Sequence, residues 1–118
     1  MNLNVTEMKV YVPAKNFALS IEFYRELGFE LTEAWAGSFD CRLGPTVFRL
    51  QNYFVPDWAN NFMMQFQVDD ACAWYDHVKP IIGSGKFAPA RISAPENVGD
   101  SLITHIVDPS GVLLIFIQ

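Results

Sequence analysis

Cysteine is scarce here: Cys41 and Cys72 are the only two in 118 residues. They are too few for a disulfide scaffold and show no metal-ligand spacing, so both are expected as small buried hydrophobes. Histidine is as sparse, and His77 and His105 stand too far apart to form a ligand pair on one helix or strand. Positive charge is in deficit. Eight Lys and Arg against thirteen Asp and Glu leave a net charge of −5. That balance excludes the phosphate neutralisation which nucleic-acid binding needs, and it gives no basis for docking on an anionic membrane. No apolar run approaches the length of a membrane span. No charged-then-apolar leader opens the sequence, and a cytoplasmic location is the expectation. A Ser-His-Asp ordering, a phosphate-cradling glycine loop and a dinucleotide fingerprint are all missing.

What is present is material for a core: 51% of the residues are hydrophobic and 14% aromatic, ample for one domain. Thr6 to Val12 alternates, with Met8, Val10 and Val12 on one face and Glu7, Lys9 and Tyr11 on the other, the period of a half-buried strand. Asn16 stands where a helix cap belongs, and Ile21, Tyr24 and Leu27 follow at helical spacing. Gly28 lies just past the end. Three strand-like runs come next, Phe29 to Trp35, Phe39 to Leu43 and Thr46 to Tyr53, punctuated by Gly37 and Gly44-Pro45.

The same order then returns. Phe62 to Val68 alternates, with Phe62, Met64, Phe66 and Val68 opposite Met63, Gln65 and Gln67. Asp70 is placed to cap a second helix carrying Trp74, Tyr75 and Val78, which Pro80 is expected to end. Asp69-Asp70 therefore reads as a helix start and not as a catalytic carboxylate pair. Ala90 to Ala94 and Leu102 to Val107 read as strands. Asp108-Pro-Ser-Gly111 then makes a turn into a last run, Val112 to Ile117, that is apolar on both faces. An offset of about 54 residues lays Lys9 on Met63, Val12 on Phe66 and Asn16 on Asp70. The fold class is α+β, built from two βαβββ modules at about 5–53 and 61–118 of a single domain. They form a curved mixed sheet with helices on the convex side and a concave cleft on the other. In the last strand Val112, Leu114 and Phe116 share one face and Leu113, Ile115 and Ile117 the other. Periodicity does not say which set faces the cleft.

Three stretches in this order carry a resemblance. "VPAKNFALSIEFYRELGF" (Val12 to Phe29) resembles the first-helix signature of the vicinal oxygen chelate superfamily, which includes glyoxalase I, extradiol dioxygenases and bleomycin resistance proteins. "FQVDDACAWY" (Phe66 to Tyr75) is similar to the start of its second module, and "DPSGVLLIFI" to its closing hairpin. The resemblance implies paired βαβββ modules, a homodimer, and clefts lined by the concave sheet. In metal-dependent members it further implies strand residues, mostly His, Glu or Gln, that hold a divalent cation as a Lewis acid. Residue by residue, those ligand positions fall on Lys9, Arg49, Met63 and Ile115. Two are cations at neutral pH, Ile115 has no donor atom, and a lone Met sulfur is too soft for oxygen-chelating metals. No metal and no cofactor are expected.

Lys9 and Arg49 admit two readings. One is a contact to an anionic or carbonyl-bearing ligand, with Arg49 presenting its planar fork. The other is an internal ion pair with Glu7, Glu30, Glu33 or Asp40. Gln51, Gln65 and Gln67 fall on the expected concave face, where amides both donate and accept. Trp35, Tyr53, Phe54 and Trp58 offer flat rings that either stack an aromatic ligand or close the core or a dimer interface. Trp74 is read as core or interface, His77 as a surface residue near a helix C-terminus, and His105 as either a general base or a structural strand histidine without an identified partner. The expected function is metal-independent small-molecule binding of the bleomycin-resistance type, with no catalytic residue assigned. Ligand contacts are expected from Lys9, Arg49, Gln51, Met63, Gln65, Gln67, Trp58 and Ile115. The rivals are a metal-dependent lyase, isomerase or dioxygenase of the glyoxalase type, and an interaction protein with a filled cleft.

Overall fold

The two long helices start at the residues whose side chains satisfy their free amides. In a computed structural model that describes all 118 residues, the elements run β1 (Tyr11–Pro13), α1 (Phe17–Leu27), β2 (Glu30–Glu33), β3 (Phe39–Leu43), β4 (Thr46–Gln51), α2 (Pro56–Ala59), β5 (Met63–Gln67), α3 (Ala71–Gly83), β6 (Arg91–Ile92), β7 (Glu96–Val98), β8 (Ser101–Val107) and β9 (Leu113–Ile117). Asn16 accepts from the Leu19 amide at 3.1 Å and Asp70 from the Ala73 amide at 2.9 Å, the geometry of an N-cap. Gly28 closes α1 in the left-handed region at φ 115°, where a residue with a Cβ is disfavoured.

The strands form two mixed sheets with the same plan. The first is ordered β1-β4-β3-β2. The second is ordered β5-β9-β8-β6, with β7 also pairing β8. In each, the first and last strands of the module run parallel and the other pairs antiparallel. A strand–helix–strand crossover is what makes the parallel pair possible. The two sheets and two long helices share one core, in which Phe23, Tyr24, Leu27 and Phe48 meet Val78, Leu114 and Phe116. An aromatic contact joins the modules, with Phe29 edge-on to Phe66 at 5.8 Å, and the stack continues inside the second module from Phe66 to Phe116 at 5.0 Å and from Phe116 to Trp74 at 4.6 Å.

A buried polar latch ties the closing turn to α1. The Tyr24 hydroxyl donates to Asp108 Oδ2 at 2.7 Å, while Oδ1 accepts from the amides of Ser110 at 2.8 Å and Val112 at 2.9 Å. Burial pushes the Asp108 carboxyl above its ordinary range, against the pull of Tyr24 and the turn amides. Burial, and then the neighbouring carboxylate, also push the Tyr24 phenol well up. Gly111 takes φ 96° in this turn.

Several expectations need correction. The first strand is ordered only over Tyr11–Pro13, preceded by one further ladder bond from the Arg49 amide to the Val10 carbonyl at 2.8 Å. Met8 is therefore 73% exposed and does not share the buried face of Val12. Pro80 does not end α3. It sits inside the last turns, and the helix continues to Gly83, because proline's lost amide bond and clash are felt upstream of the ring. Two short elements were not foreseen, β7 and the single turn α2, whose first residue is the Pro56 that favours a helix start. Cys41 is buried, and burial raises its thiol to about 12, whereas Cys72 is exposed on α3. No helix is long and apolar enough to cross a membrane.

Candidate functional site

Each sheet buries one face against the helices and leaves the other open. In β9, Leu114 and Phe116 are fully buried and Leu113, Ile115 and Ile117 only partly so, which settles the orientation of the closing strand. Arg49 and Gln51 lie on the open face of β4, alternating with buried Phe48 and Leu50. Met63, Gln65 and Gln67 are exposed along β5, alternating with half-buried Met64 and Phe66.

Strand register lines up one row of side chains across each open face. In the first module Tyr11 pairs with Arg49, which pairs with Asp40. At the equivalent place in the second module Gln65 pairs with Ile115, which pairs with His105. The first row is closed upon itself. Arg49 Nε donates to Asp40 Oδ1 at 2.9 Å, Lys9 Nζ donates to Asp40 Oδ2 at 2.9 Å, and Lys9 also meets Glu7 at 3.1 Å. Arg49 Nη1 reaches the Tyr11 hydroxyl at 3.4 Å, with the guanidinium 5.7 Å from the ring centre. These bonds hold Asp40 below the usual carboxylate range, Arg49 first and Lys9 next, in spite of partial burial. They raise Lys9, chiefly through Asp40, and Arg49 likewise. Of the four acids considered as partners, Asp40 and Glu7 are the ones that pair with these cations.

The second row is open. Ile115 has no polar atom, Gln65 is exposed, and His105 Nδ1 faces Glu96 Oε1 at 3.5 Å. Glu96 comes from β7, the strand the sequence did not reveal, whose signal was weak because only three residues pair. His77 bonds through Nε2 to the Leu27 carbonyl at 3.1 Å. It therefore serves the C-terminal end of α1, not that of its own helix. Trp35, Tyr53 and Trp58 remain exposed, with Tyr53 and Trp58 6.4 Å apart.

The groove of largest volume, about 920 Å³, lies between the β3–β4 corner, the free edge of β5 and α3, and Gln65, Gln67, Asp69, Trp74 and His77 line it. A smaller one of about 280 Å³ includes Met63, Gln65 and Val47. Lys9, Arg49, Gln51, Trp58 and Ile115 line no cavity of the single chain. Arg49, Gln51 and Ile115 belong to open sheet faces or their ends, Lys9 precedes β1, and Trp58 lies on α2.

A bleomycin resistance determinant encoded on the transposon Tn5 matches at a TM-score of 0.76 and 28% identity, over 97% of this chain and 98% of that one. A bleomycin-binding protein complexed with bleomycin matches at 0.77 and 26%, over 98% of both chains. The chain has the glyoxalase/bleomycin resistance fold of the vicinal oxygen chelate superfamily. A lactoylglutathione lyase from Agrobacterium tumefaciens shares the same fold at a TM-score of 0.68 and 16% identity, over 97% of this chain and 93% of that one. No protein-family model matches the chain, and no curated protein matches it in sequence.

The vicinal oxygen chelate fold raises the question of a metal. The four positions to which the sequence resemblance carries the metal ligands do not fit a divalent cation. Lys9 and Arg49 are protonated and occupied by carboxylates, Met63 is a thioether and Ile115 a hydrocarbon. No three His, Cys, Asp or Glu side chains converge anywhere in the chain.

Proposed function

We propose that this protein binds a small molecule without a metal, on the open faces of its two sheets, as a homodimer. The observation that carries the proposal is the donor set at the superfamily's ligand positions, where a charged ammonium and guanidinium, a thioether and an isoleucine replace oxygen and imidazole donors. The likeness to a bleomycin resistance determinant and to a bleomycin complex supports binding over turnover. The dimer is supported by apolar surface left open in one chain: Met8, Met63 and Val98 are each more than half exposed, as are Leu3 and Val5. Because Asp40 and Glu7 already neutralise Lys9 and Arg49, the ligand favoured here is neutral or aromatic, and an anion would have to displace a carboxylate.

Calorimetric titration of the chain with metal-free bleomycin and a panel of flat antibiotics tests this reading, with sedimentation to measure the assembly. Saturable binding of at least one compound by a dimer, unaffected by chelator, is the expected result. A stoichiometric metal in protein purified without chelator, or a marked rise in Tm with Ni, Zn or Mn, would overturn metal independence.

A further inference from the structure

One edge of the second sheet borders a groove in which uncommitted polar groups stand beside an aromatic wall. β5 pairs with β9 alone. The Leu113 amide donates to the Phe62 carbonyl, and the Val68 amide to the Ile117 carbonyl. In this parallel register the even-numbered residues spend their backbone groups on β9, so Gln65 and Gln67 turn theirs to the free edge. The groove along that edge holds about 920 Å³, within the roughly 300–1,000 Å³ of small-molecule sites. Its apolar wall includes the ring ladder of Phe66, Phe116 and Trp74, stacked at 5.0 and 4.6 Å. Asp69 and Asp70 line it too, and no Lys or Arg does. Asp70 is engaged as the cap of α3, accepting from the Ala73 amide at 2.9 Å. Asp69 is exposed, and no cation of the chain pairs with it.

We infer that this groove is a second binding site, for a flat aromatic cation bearing N–H donors, such as an aryl amidine. Its rings lie against Phe66 and Trp74, and its charged end meets the Asp69 carboxylate and the edge carbonyl of Gln67, two residues earlier in the chain. The rings bury apolar surface against the ladder. The carboxylate selects the charge, since two acids and no Lys or Arg line the groove and the chain carries −5 overall. A neutral ligand of the same shape keeps the stacking and loses the charge-assisted bonds. An anion is repelled. The site lies at the sheet edge, apart from the open faces proposed above, and either reading can fail alone.

The test titrates the full, nitrogen-labelled chain by calorimetry and NMR with three probes of one shape: 2-naphthamidine, neutral 2-naphthamide and anionic 2-naphthoate. The amidine should bind saturably and shift the Trp74 indole N–H together with the Gln67 and Asp69 amides. The amide should bind roughly tenfold more weakly, as the loss of a hydrogen bond to a charged group implies. Asp69→Asn should weaken the amidine by a similar factor and leave the amide unchanged. Asp69→Lys should move the preference from the amidine to the naphthoate. Asp69 bonds to nothing else in the chain, so both variants should fold, and their melting curves check this. Equal binding of amidine and amide, or amidine binding that Asp69→Asn does not weaken, overturns the site. So does the absence of saturable amidine binding, and bleomycin binding by the same sample would then leave the open-face reading standing. Intermolecular contacts from the Gln65 and Gln67 amides to a second copy or to another chain's extended segment would show the edge covered, and would also overturn the site.

Discussion

The two modules repeat one backbone plan and place opposite chemistry on the same row of it. In the first, Tyr11, Arg49 and Asp40 form an ion-paired strip with Lys9 and Glu7 leaning onto it from the segment before β1. In the second, Gln65, Ile115 and His105 are an apolar centre between two polar groups that do not reach each other. A closed ion-pair network offers a ligand little, because each contact it makes must replace one already present. An exposed amide such as that of Gln65 costs less to engage, since it gives up only water. The charged residues that stand out in the sequence thus belong to the satisfied face, and the plainer face holds the unsatisfied groups.

The largest expected effect separates the two sides of β9. Leu114→Ala should destabilise the fold by about 2–5 kcal/mol, as truncation at a fully buried site does. Ile115→Ala, on the half-exposed side, should cost about 1 kcal/mol or less. Chemical denaturation of both variants measures the gap, and equal losses would mean that the open face is covered.

Next comes the latch that joins the modules. Tyr24→Phe leaves the buried Asp108 without its side-chain donor, at an expected cost of about 1–3 kcal/mol. The folded carboxyl ionises at higher pH than the unfolded one. The folded chain therefore holds the extra proton, and stability from this group is full at low pH and declines as pH rises through the raised value. Losing the Tyr24 donor raises that carboxyl further, so the variant's deficit should grow from pH 4 to pH 8. Melting temperatures across that range are the measurement.

Asp40→Asn should have a smaller effect, at most about 1 kcal/mol near neutral pH, because water screens a pair this close to the surface. Asp40 is shifted the other way. Its folded value lies below the ordinary one, so its contribution is full above the usual carboxylate range and lost as pH falls through the lowered value. The variant should lose that part of the acid sensitivity, and added salt should narrow its difference from the parent. The smallest effect concerns the cysteines. Cys72 should react with iodoacetamide in the folded chain and Cys41 only on unfolding, given its burial and its raised thiol. Cys72→Ser should leave stability within about 0.5 kcal/mol.

Much of the fold could be read directly from residues. Asn16 and Asp70 cap as their positions imply, Gly28 and Gly111 adopt the positive φ their turns need, and the alternation of Phe62 to Val68 is reproduced in burial. What escaped was short or nonlocal. β7 pairs three residues and carries no periodic signal of its own, so the acid that faces His105 was invisible. The extent of β1 was overestimated because alternation records which face would be buried, not whether a neighbour is there to pair. Arg49 was recognisable as a charged residue at a cleft position, but its choice of Asp40 depends on β3 and β4 lying in register.

The sequence by itself determined the twofold βαβββ plan and the starts of both long helices, since each follows from local pattern or residue type. Only the tertiary structure decided which side of the closing strand is core, which acid closes on Lys9 and Arg49, and which groups are left over. Those outcomes depend on register between strands distant in the chain, and a one-dimensional pattern does not contain it.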